Sequence, residues 1–396
     1  SGIVGAMQYR QLGRSGLRVS EISLGSWLTY GATVDVAAAS RIVAGALEQG
    51  INLFDSDDVY ANGAAEESLR EALRGVARHK VVIATKAFFP QGDAVTQRGL
   101  SRKHLVEACE QSLRPLGSDY VDLRQCHRAD DSVPMDETVR AYEDLIRAGK
   151  VLYWGVSEWS AKQITDAVRT AESWGGYGPI SNQPQYSMLR RGIEKKLLRT
   201  CKREGIGQIV WSPMAQGVLT GKYATGARPE GTRAAHPFQS RFMEAFLSEE
   251  VLARVEQLRP LAASLDLTMS QLALAWCLRQ PNVASAIVGA TTPAQIDLLR
   301  ALGFNRLSMG VQDFSESVQA ALDRHQRESQ TRELFAHARA AGFLSINIDL
   351  VYGLPRQTPE TFERTIEAVA DIRPERIAVY SYAHVPWLRP NQKAID

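Results

Sequence analysis

Reducing a carbonyl takes a hydride on carbon and a proton on oxygen. Four residues in the N-terminal part of this chain, Asp55, Tyr60, Lys86 and His127, are of the types that could handle the proton. A tyrosine gives up a proton readily only if its pKa, about 10 when free, falls toward working pH. A nearby ammonium favours the phenolate and pulls that way. Lys86 would do this for Tyr60, Asp55 would hold Lys86 in place and charged, and His127 would hydrogen-bond and orient the substrate oxygen. Each also has an ordinary role open to it: helix cap for Asp55, surface aromatic for Tyr60, solvated strand end for Lys86, loop residue for His127. Their order sets them apart, because each lies at or just after the end of a short, β-branched apolar run.

Those runs recur along the chain. ISLGSW, INLFDSDDVY, VVIATK (81–86), YVDLRQCH (120–127), VLYWGVSEW (151–159), PISNQPQYS, GQIVWSPM (207–214) and ASAIVGAT (284–291) are each followed by a stretch of helical period. Alternation of this kind predicts a parallel sheet. Eight such units predict an α/β fold, a closed (β/α)8 TIM barrel, with chemistry at the C-terminal ends of the strands. Glycines such as Gly50, Gly75, Gly149 and Gly205 stand where a left-handed helix stop is needed. Three more strands, in NRLSMGVQDF, SINIDLVYGLP and RIAVYSYAHVP (376–386), have no room in a closed barrel and predict a C-terminal α/β appendage. So short a sheet buries little core alone.

The bulk properties exclude several classes. With 44% apolar and 23% charged residues the composition is ordinary for a globular protein. A formal net charge of +2 without blocks of like charge argues against nucleic acid as a partner. Cys109, Cys126, Cys201 and Cys277 are far apart and show no metal-ligand spacing, which suits reduced thiols in a cytoplasmic protein with no metal. No apolar run is long enough for a membrane span, and the start, SGIVGAMQYR, lacks the long apolar region expected of a signal peptide. Residues 1–6, before Met7, read as an expression remnant.

Residues 7–297 resemble the aldo-keto reductases, in the branch of the potassium-channel β subunits and their bacterial relatives. The likeness is carried by INLFDSDDVYANGAAEESL, VVIATK, YVDLRQCHRAD, WGVSEWS, NQPQYSML, WSPMAQGVLTGKY and SAIVGATT. It implies NADP(H) as cofactor and a small carbonyl compound as substrate, with Tyr60 as general acid, Lys86 and Asp55 as its tuning pair and His127 as the orienting donor. The channel subunits carry asparagine at that last place, so His127 favours an ordinary reductase. The resemblance also implies a cofactor grip. Gly25, Ser26 and Trp27 flank the cofactor, Ser157 and Gln183 hold the nicotinamide amide, and Trp211 packs on its ring. Ser212, Met214, Gln216 and Gly217 line the pyrophosphate. Lys222 and Arg233 meet phosphates, although the loop between them is one residue longer than usual. Gly289, Thr291 and Gln295 sit at the adenosine end. Many relatives assemble as tetramers or octamers, which leaves a homo-oligomer open.

Several positions depart from that pattern. Relatives usually carry alanine at Asp57, whose added carboxylate would raise the Tyr60 pKa. Arg70 replaces a usual glycine, and Pro115 falls in the last turn of a helix, where it removes a hydrogen bond. Arg124 has strand parity opposite to His127 and should face the helix layer, where an unpaired charge is costly. Leu298 and Leu299 replace the acidic residue and asparagine that hold adenine in relatives. From there to residue 396 the chain resembles the oxygen-independent coproporphyrinogen III oxidases, and Gln312, Arg324, Asp349 and Ala383 match positions that bind S-adenosylmethionine. Residues 298–396 contain no cysteine, so they read as a fragment of a radical-enzyme barrel without its cluster motif. Two further readings stay open: a cofactor-holding regulatory module like the channel subunits, and an inactive fusion.

Overall fold

The structure is a computed structural model that describes residues 7–223, 226–265, 267–291, 306–322, 327–340, 345–374 and 376–382. The chain divides into two compact units, Met7–Leu299 and a second one that holds Arg300–Asp396.

The first unit opens with a hairpin that the sequence patterning did not reveal. Strands β1 (Tyr9–Gln11) and β2 (Arg18–Ser20) pair antiparallel. Eight strands then close into a barrel: β3 (Ile22–Gly25), β4 (Leu53–Asp55), β5 (Val82–Ala87), β6 (Val121–Cys126), β7 (Val151–Ser157), β8 (Ser181–Gln183), β9 (Gly207–Val210) and β10 (Val283–Val288). All neighbours pair parallel, and β10 closes the circle against β3. The predicted barrel is therefore the observed one. Strands β5, β6 and β10 are buried along their whole length; β10 and the Val82–Ala84 start of β5 read as apolar, whereas β6 buries Asp122, Arg124 and Gln125 as well.

Helices cover the outside: α1 (Val36–Glu48), α2 (Ala64–Ala72), α3 (Arg102–Leu116), α4 (Met135–Arg147), α5 (Ala161–Glu172), α6 (Leu197–Glu204), α7 (Glu249–Glu256), α8 (Arg259–Ser264) and α9 (Met269–Leu278). Polar side chains start many of them. Asp35 caps α1, Ser101 caps α3, and Ser160 with Gln163 and Thr268 with Gln271 form reciprocal capping boxes on α5 and α9. Gly205 ends α6 in the left-handed region at φ +74°, as expected. Pro115 sits one residue before the end of α3, where its missing N–H removes one last-turn hydrogen bond, and Gly117 then stops the helix in the left-handed region.

The hairpin has a clear role. Leu12, Leu17 and Val19 pack with Leu53, Val82, Ala84, Leu123, Ile209 and Ala284 of the barrel interior. Leu12 and Val19 are fully buried, a gain of about 1.5–3 kcal/mol for each such side chain. Strand-start residues such as Leu53 and Val82 belong to this cluster, so the plug fills the N-terminal end and leaves the C-terminal end for chemistry.

The second unit contains a parallel three-stranded sheet, β11 (Arg306–Gln312), β12 (Ser345–Tyr352) and β13 (Arg376–Ser381), in that order. Val311, Ile348 and Leu350 pack with Phe335, Val369 and Ile372 from the helices Glu328–Ala340 and Pro359–Ile372. Gln312 and Asp349 lie on adjacent strands, since Gly310 registers with Asp349. Arg324 and Ala383 lie outside the described residues.

Candidate active site

Parallel register brings the strand ends together. Asp55 is the last residue of β4, Lys86 the penultimate residue of β5, and His127 follows β6 directly. Tyr60 opens the short 3-10 turn Tyr60–Gly63 after β4. That turn carries Ala61 and Asn62 at positive φ, which swings the chain back over the barrel end.

Lys86 is the hub, with a fully buried side chain. Its Nζ donates to Asp55 Oδ2 at 2.7 Å, to the Ser56 carbonyl at 2.6 Å and to the Tyr60 hydroxyl at 3.3 Å. Gln183 Nε2 donates to the other Asp55 oxygen at 2.8 Å, which fixes the carboxylate from across the barrel. Burial works against the lysine charge, yet Asp55, Tyr60 and Asp57 outweigh it and hold the ammonium above the ordinary lysine value. Tyr60 departs from expectation. Lys86 does pull its pKa down, but burial is the larger effect, and Asp57 and Asp55 add to it, so the phenol stands above its ordinary value. The tyrosine is held as a protonated donor rather than eased toward the phenolate.

Asp57 is the unexpected member. Its Oδ2 lies 2.6 Å from His127 Nδ1, and Oδ1 accepts the Val59 N–H at 3.0 Å. The ring N–H is not aimed in line at Oδ2, and neither atom has a hydrogen-bond partner. Burial raises the Asp57 carboxyl, but the charge and hydrogen-bonding capacity of His127, with Lys86 behind it, bring it below the usual range. Strand-end position alone would have drawn attention to Asp57, but nothing in the sequence pairs it with a residue so distant in the chain.

The next residue points the other way. Asp58 faces Arg124, whose guanidinium is fully buried 3.7 Å from it and donates to Ser112 Oγ at 3.2 Å. Arg124 thus lies in the helix layer, as its parity requires. Arg124 Nε and Nη2 and both Asp58 oxygens lack hydrogen bonds. Burial and the Asp57 charge push the Asp58 carboxyl up, only partly countered by Arg124. Arg70, on α2, is half-exposed and pairs with Glu71 at 2.9 Å.

The expected cofactor residues occupy the same end. Gly25 and Ser26 are buried, and Ser26 Oγ donates to Ser56 Oγ at 3.0 Å. Ser157 Oγ donates to the Gln183 carbonyl at 2.9 Å. Trp27 meets Trp211 edge-on at 6.2 Å and Phe242 at 5.2 Å. Trp211 donates its indole N–H to Glu158 at 2.8 Å, a residue the sequence reading missed although it directly follows β7. After β9 the segment runs through Ser212, Ala215, Gln216 and Gly217 at positive φ, with Met214 at the start of its 3-10 turn. Ser212 Oγ accepts the Gln216 N–H at 2.9 Å. Arg233 hydrogen-bonds Gln216 and lies 5.7 Å from the Trp27 ring. Gly217 is open on the side of Lys222, and Gly289 on the side of Arg233, where an added Cβ would meet each at about van der Waals distance. Two cations, a left-handed loop and half-buried indoles suit a ligand with phosphates and a flat ring, so the residues present fit a dinucleotide. Thr291 ends this described stretch, while Gln295, Leu298 and Leu299 lie outside the described residues.

Residues 21–311 match the aldo/keto reductase family. The chain belongs to that family. Among its relatives, a probable voltage-gated potassium channel subunit beta of Arabidopsis thaliana is 46% identical over 73% of this chain and 89% of the plant protein. The corresponding protein of Oryza sativa subsp. japonica is 45% identical with the same coverage. A putative one of Schizosaccharomyces pombe is 44% identical over 73% of this chain and 86% of its own length. Residues 271–369 match the Radical SAM superfamily. Cys277 is the only cysteine in that span. It is buried on α9 beside the carbonyls of Tyr186 and Pro213, and burial pushes its thiol up to about 12. A cluster held by several thiolates does not fit these residues. Among the described residues no single helix is long and apolar enough to cross a membrane.

Proposed function

We propose that this aldo/keto reductase barrel reduces small aldehydes or ketones to alcohols with NADPH. The observation that carries the reading is the unbroken Gln183–Asp55–Lys86–Tyr60 chain of contacts at 2.8, 2.7 and 3.3 Å, which ends on a hydroxyl at the strand-end mouth. Bound nicotinamide would supply the hydride. Tyr60 would pass its proton to the carbonyl oxygen as charge develops there, and Lys86 would stabilise the phenolate left behind. Asp55, pinned by Gln183, keeps the ammonium aimed at that phenolate. His127 would bind the same substrate oxygen. Trp27, Trp211, Ser157, Lys222 and Arg233 would hold the cofactor. A regulatory role like that named for the channel subunits is a second reading, favoured by the identity to those proteins.

One experiment tests the first reading. Consumption of NADPH with a small aldehyde should be measured for the full chain and for Tyr60→Phe. The substitution should cost about 10²–10⁴-fold in kcat and leave NADPH affinity nearly unchanged. Unchanged turnover in Tyr60→Phe removes the tyrosine from the mechanism. Tight NADPH binding with no turnover in the native chain favours the regulatory reading.

A further inference from the structure

The barrel wall carries a groove toward the N-terminal end of its strands, on the side away from the mouth. It lies between the C-terminal ends of α2 and α3 and over the start of β5. Gly117 stops α3 there at φ +59° and puts no side chain into the gap between the helix ends. A space of about 350 Å³ remains, which falls within the range of small-molecule sites. Its floor is apolar. Val81, Ile83 and Leu116 are buried beneath it, with Leu73 and Val76 half-buried along its wall.

The rim is cationic. Arg70, Arg74 and Arg78 line it, and the carboxylate among the lining residues is that of Glu71. Arg78 is committed to the frame: it donates to Ser118 Oγ, to the carbonyls of Val81 and Tyr120, and to Asp122 at 2.6 Å. Arg70 and Arg74 share one partner. Arg70 donates to Glu71 Oε1 at 2.9 and 3.1 Å, and Arg74 donates to Oε2. A guanidinium has five N–H donors, so these contacts use two on Arg70 and one on Arg74. Glu67 comes no nearer to Arg70 than 3.5 Å, is 63% exposed and does not line the groove. The Arg70 stem lies across Gly117, where an added Cβ would stand 2.7 Å from its Cδ, so its head is kept at the groove edge.

The last carbonyls of two helices draw positive charge to this end of the wall. Two guanidinia on one carboxylate leave the rim with a surplus of charge and of donors. A planar fork above an apolar floor matches a carboxylate on a flat apolar body. We propose that this groove is a binding site for a small amphipathic carboxylate, separate from the mouth. The body covers Ile83 and Leu116, and the head takes the open donors of Arg70 and Arg74. The site does not depend on the reductase reading.

The test uses the full chain with carbon-13 in its isoleucine δ1 methyl groups. The Ile83 signal is assigned by its loss in Ile83→Val and reports on the groove, not on the mouth. The probe is 2-naphthoate, compared with the neutral 2-naphthalenemethanol and the cationic 2-naphthylmethylammonium. Naphthoate should shift the Ile83 signal to saturation with Kd of about 1 mM or tighter. The neutral compound should bind about tenfold more weakly, and the cation more weakly again. Arg70→Gln should lower naphthoate to the affinity of the neutral compound while leaving the neutral compound unaffected, a split that loss of folding would not give. Val76→Trp fills the groove and should abolish the shift with all three. An Ile83 signal that naphthoate leaves in place overturns the proposal, as does a shift that persists in Val76→Trp. Equal or tighter binding of the neutral or cationic compound, or unchanged naphthoate affinity in Arg70→Gln, overturns the assignment of a carboxylate.

Discussion

Two clusters of charge lie on opposite sides of the same strands, and they are built to different standards. At the mouth, Lys86 is buried with three oxygen partners within 3.3 Å, and its carboxylate is held in turn by Gln183. In the helix layer, Arg124 is equally buried but finds one hydroxyl at 3.2 Å and a carboxyl no nearer than 3.7 Å. Consecutive residues feed the two sides, Asp57 the mouth and Asp58 the layer behind. The Asp57 carboxyl is held down by its cationic neighbours, and that of Asp58 is driven up by burial. A buried ion helps a protein only when its remaining donors and acceptors are also met. On that measure the front cluster is an organised site and the rear one an imperfectly compensated substitution.

The comparison breaks most visibly if the hub of the front cluster is removed. Lys86→Met should abolish turnover about as fully as Tyr60→Phe, because the phenolate loses its counter-charge. It should also destabilise the fold by about 3–5 kcal/mol, since Asp55 and Asp57 then stay buried without their cation. Chemical denaturation and NADPH oxidation measure the two effects. A stable Lys86→Met protein would mean that the three contacts are incidental to the fold.

How much of this was legible beforehand follows from range of interaction. The barrel strands could be read because strands buried on both faces are rich in apolar, often β-branched residues, as the start of β5 and most of β10 are. The place of Arg124 followed from strand parity alone. The β1–β2 hairpin escaped notice because its strands are three residues each and carry Tyr9, Arg10, Gln11 and Arg18 on a partly exposed ribbon. The direction of the Tyr60 shift was misjudged because a sequence shows the lysine that pulls down but not the depth of burial that pushes up. The Asp57–His127 contact joins two loops through the fold, and no local pattern encodes it.

The rear cluster should respond in the opposite sense to the front. With Asp58 driven toward its neutral form, Arg124 is close to an uncompensated buried charge. Arg124→Met combined with Asp58→Leu keeps most of the volume and removes both members of the pair. Replacing imperfect buried pairs in this way is commonly neutral or stabilising by up to about 4 kcal/mol. The denaturation midpoint should hold or rise, with turnover intact. A fall of about 3 kcal/mol or more would show that the 3.7 Å contact is worth as much as the contacts of Lys86.

The smallest effect lies in the pH dependence of the same layer. Glu66 is buried, and although Thr85 donates to it at 2.5 Å and Arg124 is near, burial dominates and pushes its carboxyl up to about 7. In an unfolded chain a glutamate ionises near pH 4.3. Between roughly that value and about 7 the folded protein therefore binds the extra proton, so stability falls as pH rises through this window and levels off above it. The slope cannot exceed about 1.4 kcal/mol per pH unit. Glu66→Gln keeps the shape and removes the titration, so its unfolding free energy should be flatter across the window, with the two proteins diverging most at the alkaline end. Equal slopes would mean that water or Arg124 compensates the carboxylate, and the rear cluster would then be as well satisfied as the front.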